Sequence, residues 1–442
     1  MPNVLVLLVS WFGLALLTSV ASARVIEIRP NATDEDEEFE HLANALQPGD
    51  ELVLYGGSYS QAGRRAITAK GTPDKPIVIR AAENGSPLLT RSPETRARQN
   101  NIEFVDCAHL VIRGLRFQGG SSGVRFIRGH HVTLEDCEIF ETRNNALTMN
   151  SGNCHAFVLR RNHIHHTGLA ESGATEGEGM YIGCHPGSCS TTDSLIEGNY
   201  IHHLRGTSDG GNDGIEIKAG SYGNVVRNNV IHDTNLGRHY PGIFVYGGGA
   251  GTNLVEGNVI WNAGEGIQVV SDAVVRNNII FKCSATGITA APHAAVRQMR
   301  DVSIVNNTVF QSPVGARIRW GGATNMIFAN NAVYCPAQVA VDARAGANLL
   351  LNNFVHGALN GVALDDVAVL DGGEPASAFA EFAGKNFWPK AGSRLIGRAE
   401  AKFAPAVDFN GRVRKAPFDV GAYETDGHAE NPGWTIQAGP KK

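Results

Sequence analysis

The sequence is poor in charge and has no CxxC pair of cysteines. Only 18% of its 442 residues are charged, and the formal net charge is −5. A coiled coil or a charge-driven disordered chain needs more charge, and a nucleic-acid-binding domain needs a basic surface. The seven cysteines include no CxxC motif, which argues against a zinc knuckle. An anionic ligand would therefore have to be bound by a local basic cluster.

Long apolar runs are also absent, except at the beginning of the chain. The run from Val4 to Val20 leads to Ala21-Ser22-Ala23, a small-x-small cleavage site, although the usual basic n-region is missing. A membrane anchor is the alternative, but the run is shorter than the roughly 20 residues of a spanning helix. We therefore expect residues 1–23 to be a signal peptide and the mature protein to be secreted or periplasmic.

In such an oxidising compartment, the loop GCHPGSC predicts a disulfide. Cys184 and Cys189 lie in this loop and Cys154 precedes it, so the bond should form among these three residues. Cys137, Cys283 and Cys335 fall within a repeat described below and are interpreted as small buried side chains.

Glycine is abundant, with 52 residues, and the chain contains a repeat that can be aligned on one asparagine. Lines such as LRRNHIHH, LIEGNYIHH, VVRNNVIHD and LVEGNVIWN place an Asn between two short apolar alternations, which is strand patterning. Leu115 and Cys137 occupy the same position in earlier repeats. The aligned residues are Asn162, Asn199, Asn229, Asn258, Asn278, Asn307, Asn331 and Asn353.

Repeats of just over 20 residues with several short strands bury their apolar faces only by stacking. A column of Asn at one turn can hydrogen-bond from repeat to repeat. A leucine consensus, which leucine-rich repeats require, is missing. The fold class predicted is all-β, a right-handed parallel β-helix whose open end is covered by an amphipathic helix within Asp34–Leu46.

We divide the chain into four parts on these patterns: a signal peptide at 1–23, an N-terminal cap with the first coils at 24–100, a catalytic β-helix core at 101–360 and a capping tail at 361–442.

The site is predicted from the spacing of the asparagines. The spacing is 37 residues after Asn162, and then 30 and 29, whereas later repeats are as short as 20. Consecutive insertions at one turn build a wall beside a strand face. The second strands, aligned on their leading Gly or Ala, place two columns of side chains outward. The columns are Thr148, Tyr181, Glu216, Phe244, Gln268 and Asn150, Gly183, Lys218, Tyr246, Val270.

Tyr181 and Lys218 thus face one cleft from neighbouring coils, and Arg238 follows in the inserted loop GRHYPG. A nearby Arg is expected to lower the pKa of Lys218 and make it a general base. Tyr181 could protonate a leaving oxygen, and Arg238 could hold a carboxylate. These are the requirements of β-elimination on a uronate. Either Tyr181 or Lys218 alone would be an ordinary surface residue; their combination carries the hypothesis.

The strands GEGMYIG and DGIEIK and the Arg loop resemble the β-helix alginate lyases, most closely polysaccharide lyase family thirty-one, which cleave polymannuronate. The resemblance covers about residues 100 to 360. It implies that Lys218 is the base, Tyr181 the acid and Arg238 the group that neutralises the carboxylate.

Further residues are candidates for substrate contact, and an alternative interpretation involves calcium. The candidates are Glu216, His239, Tyr240, Tyr246, Gln268, His202 and Asn150. His165, His202 and His232 form a column that we interpret as stacked rather than as a metal set. No cofactor is expected if Arg238 acts on the uronate; in a calcium-dependent lyase of the pectate type, Asp209, Asp213 and Glu178 would hold the ion.

Other functions on this fold stay open at this point. They are a C5-epimerase, a glycoside hydrolase using Asp213 and Glu216, and a carbohydrate-binding solenoid without activity. In each case the partner expected is an anionic polysaccharide, bound by a monomer that contacts neither nucleic acid nor a membrane after signal cleavage.

Overall fold

The computed structural model describes residues 23–30, 38–60, 63–91, 99–169, 175–207, 211–234, 239–346 and 348–441. The proposed signal peptide, except Ala23, lies outside the described residues. None of the helices within these ranges is long and apolar enough to cross a membrane.

The chain winds into a stack of coils, each of which contributes strands to three parallel sheets. Sheet A, which precedes the aligned asparagines, contains β1 (Val25–Ile28), β2 (Glu51–Leu54), β5 (Ile77–Ala81), β13 (Val158–Arg160), β17 (Leu195–Glu197), β20 (Val225–Arg227), β23 (Asn253–Glu256), β26 (Ala273–Arg276), β29 (Arg300–Val305), β32 (Thr324–Ala329) and β34 (Leu349–Leu351). Sheet B, which follows them, contains β3 (Gly57–Ser60), β6 (Pro87–Thr90), β8 (Arg116–Gln118), β10 (Glu138–Phe140), β14 (His163–His165), β18 (Tyr200–Leu204), β21 (Val230–Thr234), β24 (Val259–Ala263), β27 (Ile279–Phe281), β30 (Thr308–Phe310) and β36 (Val369–Asp371).

Sheet C carries the columns predicted to form the site. It contains β4 (Ala66–Ile67), β11 (Leu147–Met149), β15 (Met180–Ile182), β19 (Ile215–Ile217), β22 (Pro241–Val245), β25 (Glu265–Val269), β28 (Thr286–Ala290) and β31 (Val314–Arg319). Long strands that pass from one sheet into the next are β7 (Ile102–Arg113), β9 (Val124–Glu135), β33 (Ala332–Arg344) and β35 (Asn353–Asn360), and short strands at the turn from sheet C to sheet A are β12 (Cys154–His155) and β16 (Thr191–Thr192). The predicted parallel β-helix is confirmed.

The asparagine ladder lies at the turn between sheets A and B. Each Asn side chain accepts from the backbone N–H and the amide of the Asn one coil earlier, as Asn258 does from Asn229 at 3.0 Å. The ladder ends where Asn162 accepts from the N–H of Cys137 at 3.2 Å. The residue before each Asn is left-handed, with φ of 64° at Gly198 and 65° at Gly257, which explains the recurring Gly-Asn and Asn-Asn pairs.

The N-terminal helix α1 (Glu38–Asn44) covers the first coils. Phe39 on its inner face is fully buried, and Ala43 packs one turn further on. The helix is shorter than the predicted stretch, whose residues 34–37 lie outside the described residues.

The cysteines have the pairing and the burial that the sequence predicts. Cys184 and Cys189 form the loop disulfide, and Cys154 is a buried free thiol. Cys137, Cys283 and Cys335 are also free and buried.

The C-terminal tail begins with β36, which continues sheet B beyond β35, and from Pro375 onward it packs along the side of the stack. It contains α2 (Pro375–Ala378), an antiparallel pair of β37 (Phe379–Glu381) and β38 (Asn386–Pro389), and two 3₁₀ turns (Phe382–Gly384, Ala401–Phe403). Its aromatic side chains, among them Phe387, pack on the outward face of sheet B at Trp261, Phe281 and Phe310. Lys441, near the chain end, donates to Asn228 and Gly257 at 3.0 Å. An outward apolar face of this extent has to be covered, and the tail covers it.

Candidate active site

Three neighbouring strands of sheet C, β15, β19 and β22, present the predicted columns outward. Tyr181 pairs with Glu216 in register, and Glu216 pairs with Phe244. Lys218 follows β19 directly, and its backbone N–H donates to Ile182 on the preceding coil at 2.8 Å. The first column therefore has the order that the repeat alignment predicts.

Gly183 makes room for the lysine. Its φ is +93°, and a Cβ at this position would lie 3.1 Å from Cβ of Lys218 and 2.7 Å from Oγ of Ser221. Any larger residue would be strained in backbone conformation and would press on Lys218.

Lys218 is the centre of a compact polar group. Its Nζ donates to Oε1 of Glu216 and lies 4.2 Å from the ring centroid of Tyr181 and 5.1 Å from that of Tyr246. The hydroxyl of Tyr246 donates to the same Oε1 of Glu216 at 3.1 Å. Only 6% of Lys218 and 2% of Glu216 are exposed. The ammonium is thus held by one carboxylate between two aromatic rings.

The expected lowering of the Lys218 pKa is wrong for the described surroundings. Burial alone would lower the pKa of Lys218, but the charge of Glu216 and its hydrogen bond outweigh burial, and the pKa is raised. The expected lowering took only Arg238 into account and not Glu216, which lies two residues before Lys218. Burial raises the pKa of Tyr181 as well, although Lys218 opposes this. Both groups are therefore protonated at neutral pH.

Two further carboxyl groups lie behind this pair. Burial, together with repulsion from Glu216, raises the pKa of Glu178 to about 8 and the pKa of Asp213 well above its usual range. One oxygen of each of these three residues, Oε2 of Glu178, Oδ1 of Asp213 and Oε2 of Glu216, is buried without a hydrogen-bond partner. The site can therefore hold exchangeable protons on several groups.

These groups line a cavity of about 370 Å³. A second cavity of about 380 Å³ adjoins it, because successive residues of the same segments line the two: His185 then Pro186, Lys218 then Ala219, and Tyr246 then Gly247. The loop after β28 borders both. Its His293 packs edge-on against Tyr246 at 4.7 Å, and Val296 lies 3.6 Å from the position of a Cβ on Gly248. We call these two adjoining cavities the groove.

The whole central part of the chain matches one family model. The model, described as right handed beta helix region, matches residues 78–209 and 187–333. The chain belongs to this family. No curated protein is similar to this β-helix protein in sequence.

Solved structures share the fold at low sequence identity. An alginate lyase from Paenibacillus sp. strain FPU-7 is 20% identical, with a TM-score of 0.51 over 72% of this chain and 99% of that one. Pectate lyase Pel9A is 15% identical, with a TM-score of 0.54 over 92% and 97%. The A-module of the Azotobacter vinelandii mannuronan C-5 epimerase AlgE6 is 15% identical, with a TM-score of 0.52 over 76% and 92%. At these identities the likeness shows the fold, a right-handed parallel β-helix.

The β-helix brings some of the predicted substrate contacts together and separates others. Tyr246 and Glu216 line the cavity with Tyr181 and Lys218. Gln268 continues the column beyond Phe244, and Asn150 is half-buried next to β11. His239 is exposed. Arg238 and Asp209 lie outside the described residues.

His202 belongs to another face. It follows the Asn ladder on β18 of sheet B, where it stacks between His165 and His232 with ring centroids 5.2 Å apart on both sides. It does not line the cavity at Lys218. The structure thus separates it from the other proposed substrate contacts, since sheets B and C face different directions.

Four residues that line the cavity were not predicted from the sequence: Glu176, His185, Gly211 and His293. His185 lies between Cys184 and Cys189, so the predicted disulfide loop was the signal in the sequence that could have located it. His293 lies in the 29-residue interval between Asn278 and Asn307, which is longer than its neighbours and was not interpreted as an insertion.

A calcium ion would be held by Glu178, Asp213 and Glu216, whose unpartnered oxygens are hard ligands. Among the described residues, however, the groups whose ligand atoms all lie within 4.8 Å of one another include none of these three. The carboxylates are thus more widely spread than a ready-made cation site.

Proposed function

We propose that this protein is a secreted polysaccharide lyase that cleaves a uronate polymer, poly-mannuronate alginate, by β-elimination. The observation that carries the proposal is the contact of Lys218 with Tyr181 in a groove on sheet C. The fold relatives named above include an alginate lyase, a pectate lyase and a mannuronan epimerase. All three names refer to uronate polymers, which supports a substrate of this class.

In this proposal Lys218 accepts the C5 proton of the uronate and Tyr181 protonates the departing glycosidic oxygen. Arg238, as the family resemblance implies, pairs with the uronate carboxylate and stabilises the charge that develops on it. Because the pKa of Lys218 is raised, only the small deprotonated fraction can accept a proton at neutral pH. The rate should therefore rise with pH until Tyr181, whose pKa is also raised, loses its proton.

The test is incubation of the purified protein with polymannuronate, polyguluronate, pectate and glycosaminoglycans, followed by ultraviolet absorbance of the unsaturated uronate. Polymannuronate should give the fastest rise. Lys218→Met should abolish the rise, and Lys282→Met, at an exposed lysine outside the groove, should leave it unchanged. Absence of an absorbance rise on every polymer would refute the proposal.

The same assay separates the alternatives. An epimerase abstracts the same proton without breaking the chain, so it would change the ratio of the two uronates while viscosity stays constant. A hydrolase using Asp213 and Glu216 would lower viscosity without absorbance. A calcium-dependent lyase would lose its activity to a chelator and regain it with calcium.

A further inference from the structure

A second cluster of titratable side chains lies on the outward face of sheet B, away from Lys218. Of the 16 histidines in the chain, six follow three successive ladder asparagines in the HIHH, YIHH and VIHD segments: His163, His165, His166, His202, His203 and His232. Glu138 stands in register with His163 on the preceding coil. The proposed function uses none of these side chains.

Glu138, His163 and His165 converge on one point. Oε1 of Glu138 lies 3.1 Å from Nε2 of His165 and 3.7 Å from Nδ1 of His163. One ligand atom from each residue lies within 4.8 Å of the other two. Ligands at roughly 2.0–2.2 Å from a tetrahedral zinc ion are about 3.3–3.6 Å from one another. The two separations from Oε1 of Glu138, 3.1 and 3.7 Å, lie on either side of this range, and the ligand atoms of His163 and His165 lie within 4.8 Å of each other.

The second nitrogen of each imidazole and the second oxygen of Glu138 also have hydrogen-bond partners. Nδ1 of His165 faces Nδ1 of His166 at 2.7 Å, and Nε2 of His163 faces Nε2 of His202 at 2.8 Å. Arg116 donates to Oε2 of Glu138 and leaves Oε1 directed at the imidazoles. In metal centres, hydrogen bonds to the far atoms of the ligands fix their orientation in this way.

Packing restrains the rings further. His165 stacks on Phe140 at 5.3 Å and on His202 at 5.2 Å, with interplanar angles of 23° and 7°. The column His165, His202 and His232, aligned from the repeats, is stacked, whereas the ligand set combines His165 with His163 and with Glu138 of the preceding coil.

We propose that Glu138, His163 and His165 bind a divalent first-row transition metal ion of the zinc class on the outer face of sheet B. Two imidazoles and one carboxylate suit zinc, cobalt, nickel or copper rather than calcium or magnesium. Three protein ligands leave a coordination position for water or for a group of a bound ligand. The site is independent of the groove on sheet C.

The test is titration of the tag-free, metal-stripped chain with zinc by calorimetry and with cobalt by visible absorption. His109, His130 and His131 form a second candidate group. All titrations therefore use a His131→Asn background, since Asn accepts the left-handed backbone at this position, φ 54°.

Two variants copy residues that the fold already uses in the same columns. His165→Phe places a second Phe beside Phe140, and His163→Tyr repeats Tyr200 of the next coil. The control is His356→Phe, which removes a histidine paired with one carboxylate, Glu374, at 3.6 Å. Thermal melting confirms that each variant is folded.

The background protein should bind one zinc ion per chain, and each of His165→Phe and His163→Tyr should weaken binding at least about tenfold. The control should bind as the background does. Absence of saturable zinc binding in the background, or equal affinity in both variants and the background, would overturn the proposal.

Discussion

Replacing Glu216 by Gln tests the electrostatic account of the groove most directly. Gln has the same shape, and its amide oxygen can still accept from Lys218 and from the hydroxyl of Tyr246. The change removes one negative charge beside the ammonium. Because that charge is what raises the pKa of Lys218 against burial, the pKa should fall in the variant.

The size of the shift follows from the geometry. A hydrogen bond to a charged group contributes about 1.5–3 kcal/mol, and each pKa unit corresponds to about 1.4 kcal/mol. Both side chains are almost fully buried, so solvent screens the interaction little. We therefore expect the pKa of Lys218 to fall by about 1–2 units.

Two measurements report this shift. The first is kcat/KM on polymannuronate as a function of pH, where the acid limb should move to lower pH by the same 1–2 units. The second is an NMR titration of the lysine side-chain resonances, assigned with Lys218→Met, which gives the pKa without any activity.

Glu197→Gln is the control, since Glu197 accepts from Arg227 at 2.7 Å on sheet A, away from the groove. It should leave both titrations unchanged. An unshifted Lys218 resonance in folded Glu216→Gln protein would refute the electrostatic reasoning. If the pKa of Lys218 falls in the NMR titration but the acid limb of kcat/KM does not move, Lys218 is not the base.

Three further predictions concern the acid, a buried carboxyl and the ladder. Tyr181→Phe should lower kcat about a hundredfold to ten-thousandfold with little change in KM. An unchanged kcat with a raised KM would contradict the role of Tyr181 as the acid. Glu178 keeps its proton in the folded protein up to about pH 8, above its ordinary pKa of 4.5. Within this window the folded state binds more protons, so the free energy of unfolding should fall with rising pH by up to about 1.4 kcal/mol per unit. Urea unfolding should show this fall in the parent and a flatter profile in Glu178→Gln. The side chain of Asn258 accepts two hydrogen bonds from Asn229 and donates one to Asn278 and one to the carbonyl of Val226. Asn258→Ala should therefore cost about 2–4 kcal/mol in urea unfolding, and a loss below about 1 kcal/mol would contradict the ladder's role.

The coil architecture was predictable because its signals are local and periodic. The position before each ladder Asn has a left-handed backbone, and each Asn is hydrogen-bonded to the next coil. Both requirements favour recurring Gly-Asn and Asn-Asn pairs, which make the repeat visible in the sequence. The side-chain alternation around Gly179 and Gly214 likewise gave the register of Tyr181 with Glu216.

The electrostatics and the loop packing were not predictable in the same way. Whether Glu216 turns toward Lys218 depends on rotamers and on Tyr246 one coil away. The loop that carries His293 folds back over earlier coils, and periodicity does not report such a contact. His202 is separated from the groove because it lies on β18 of sheet B, whereas the groove lies on sheet C.

The tail that lies along sheet B changes how the solenoid can come apart. In a simple stack each coil touches only its neighbours, so unravelling at one end need not disturb the rest. Here two side chains of the tail donate hydrogen bonds to coils in the middle of the stack: Lys441 to Asn228 and Gly257, and Arg414 to Asn277. Loss of the last stretch of chain would therefore remove hydrogen bonds from coils in the middle of the stack, several coils away from its ends.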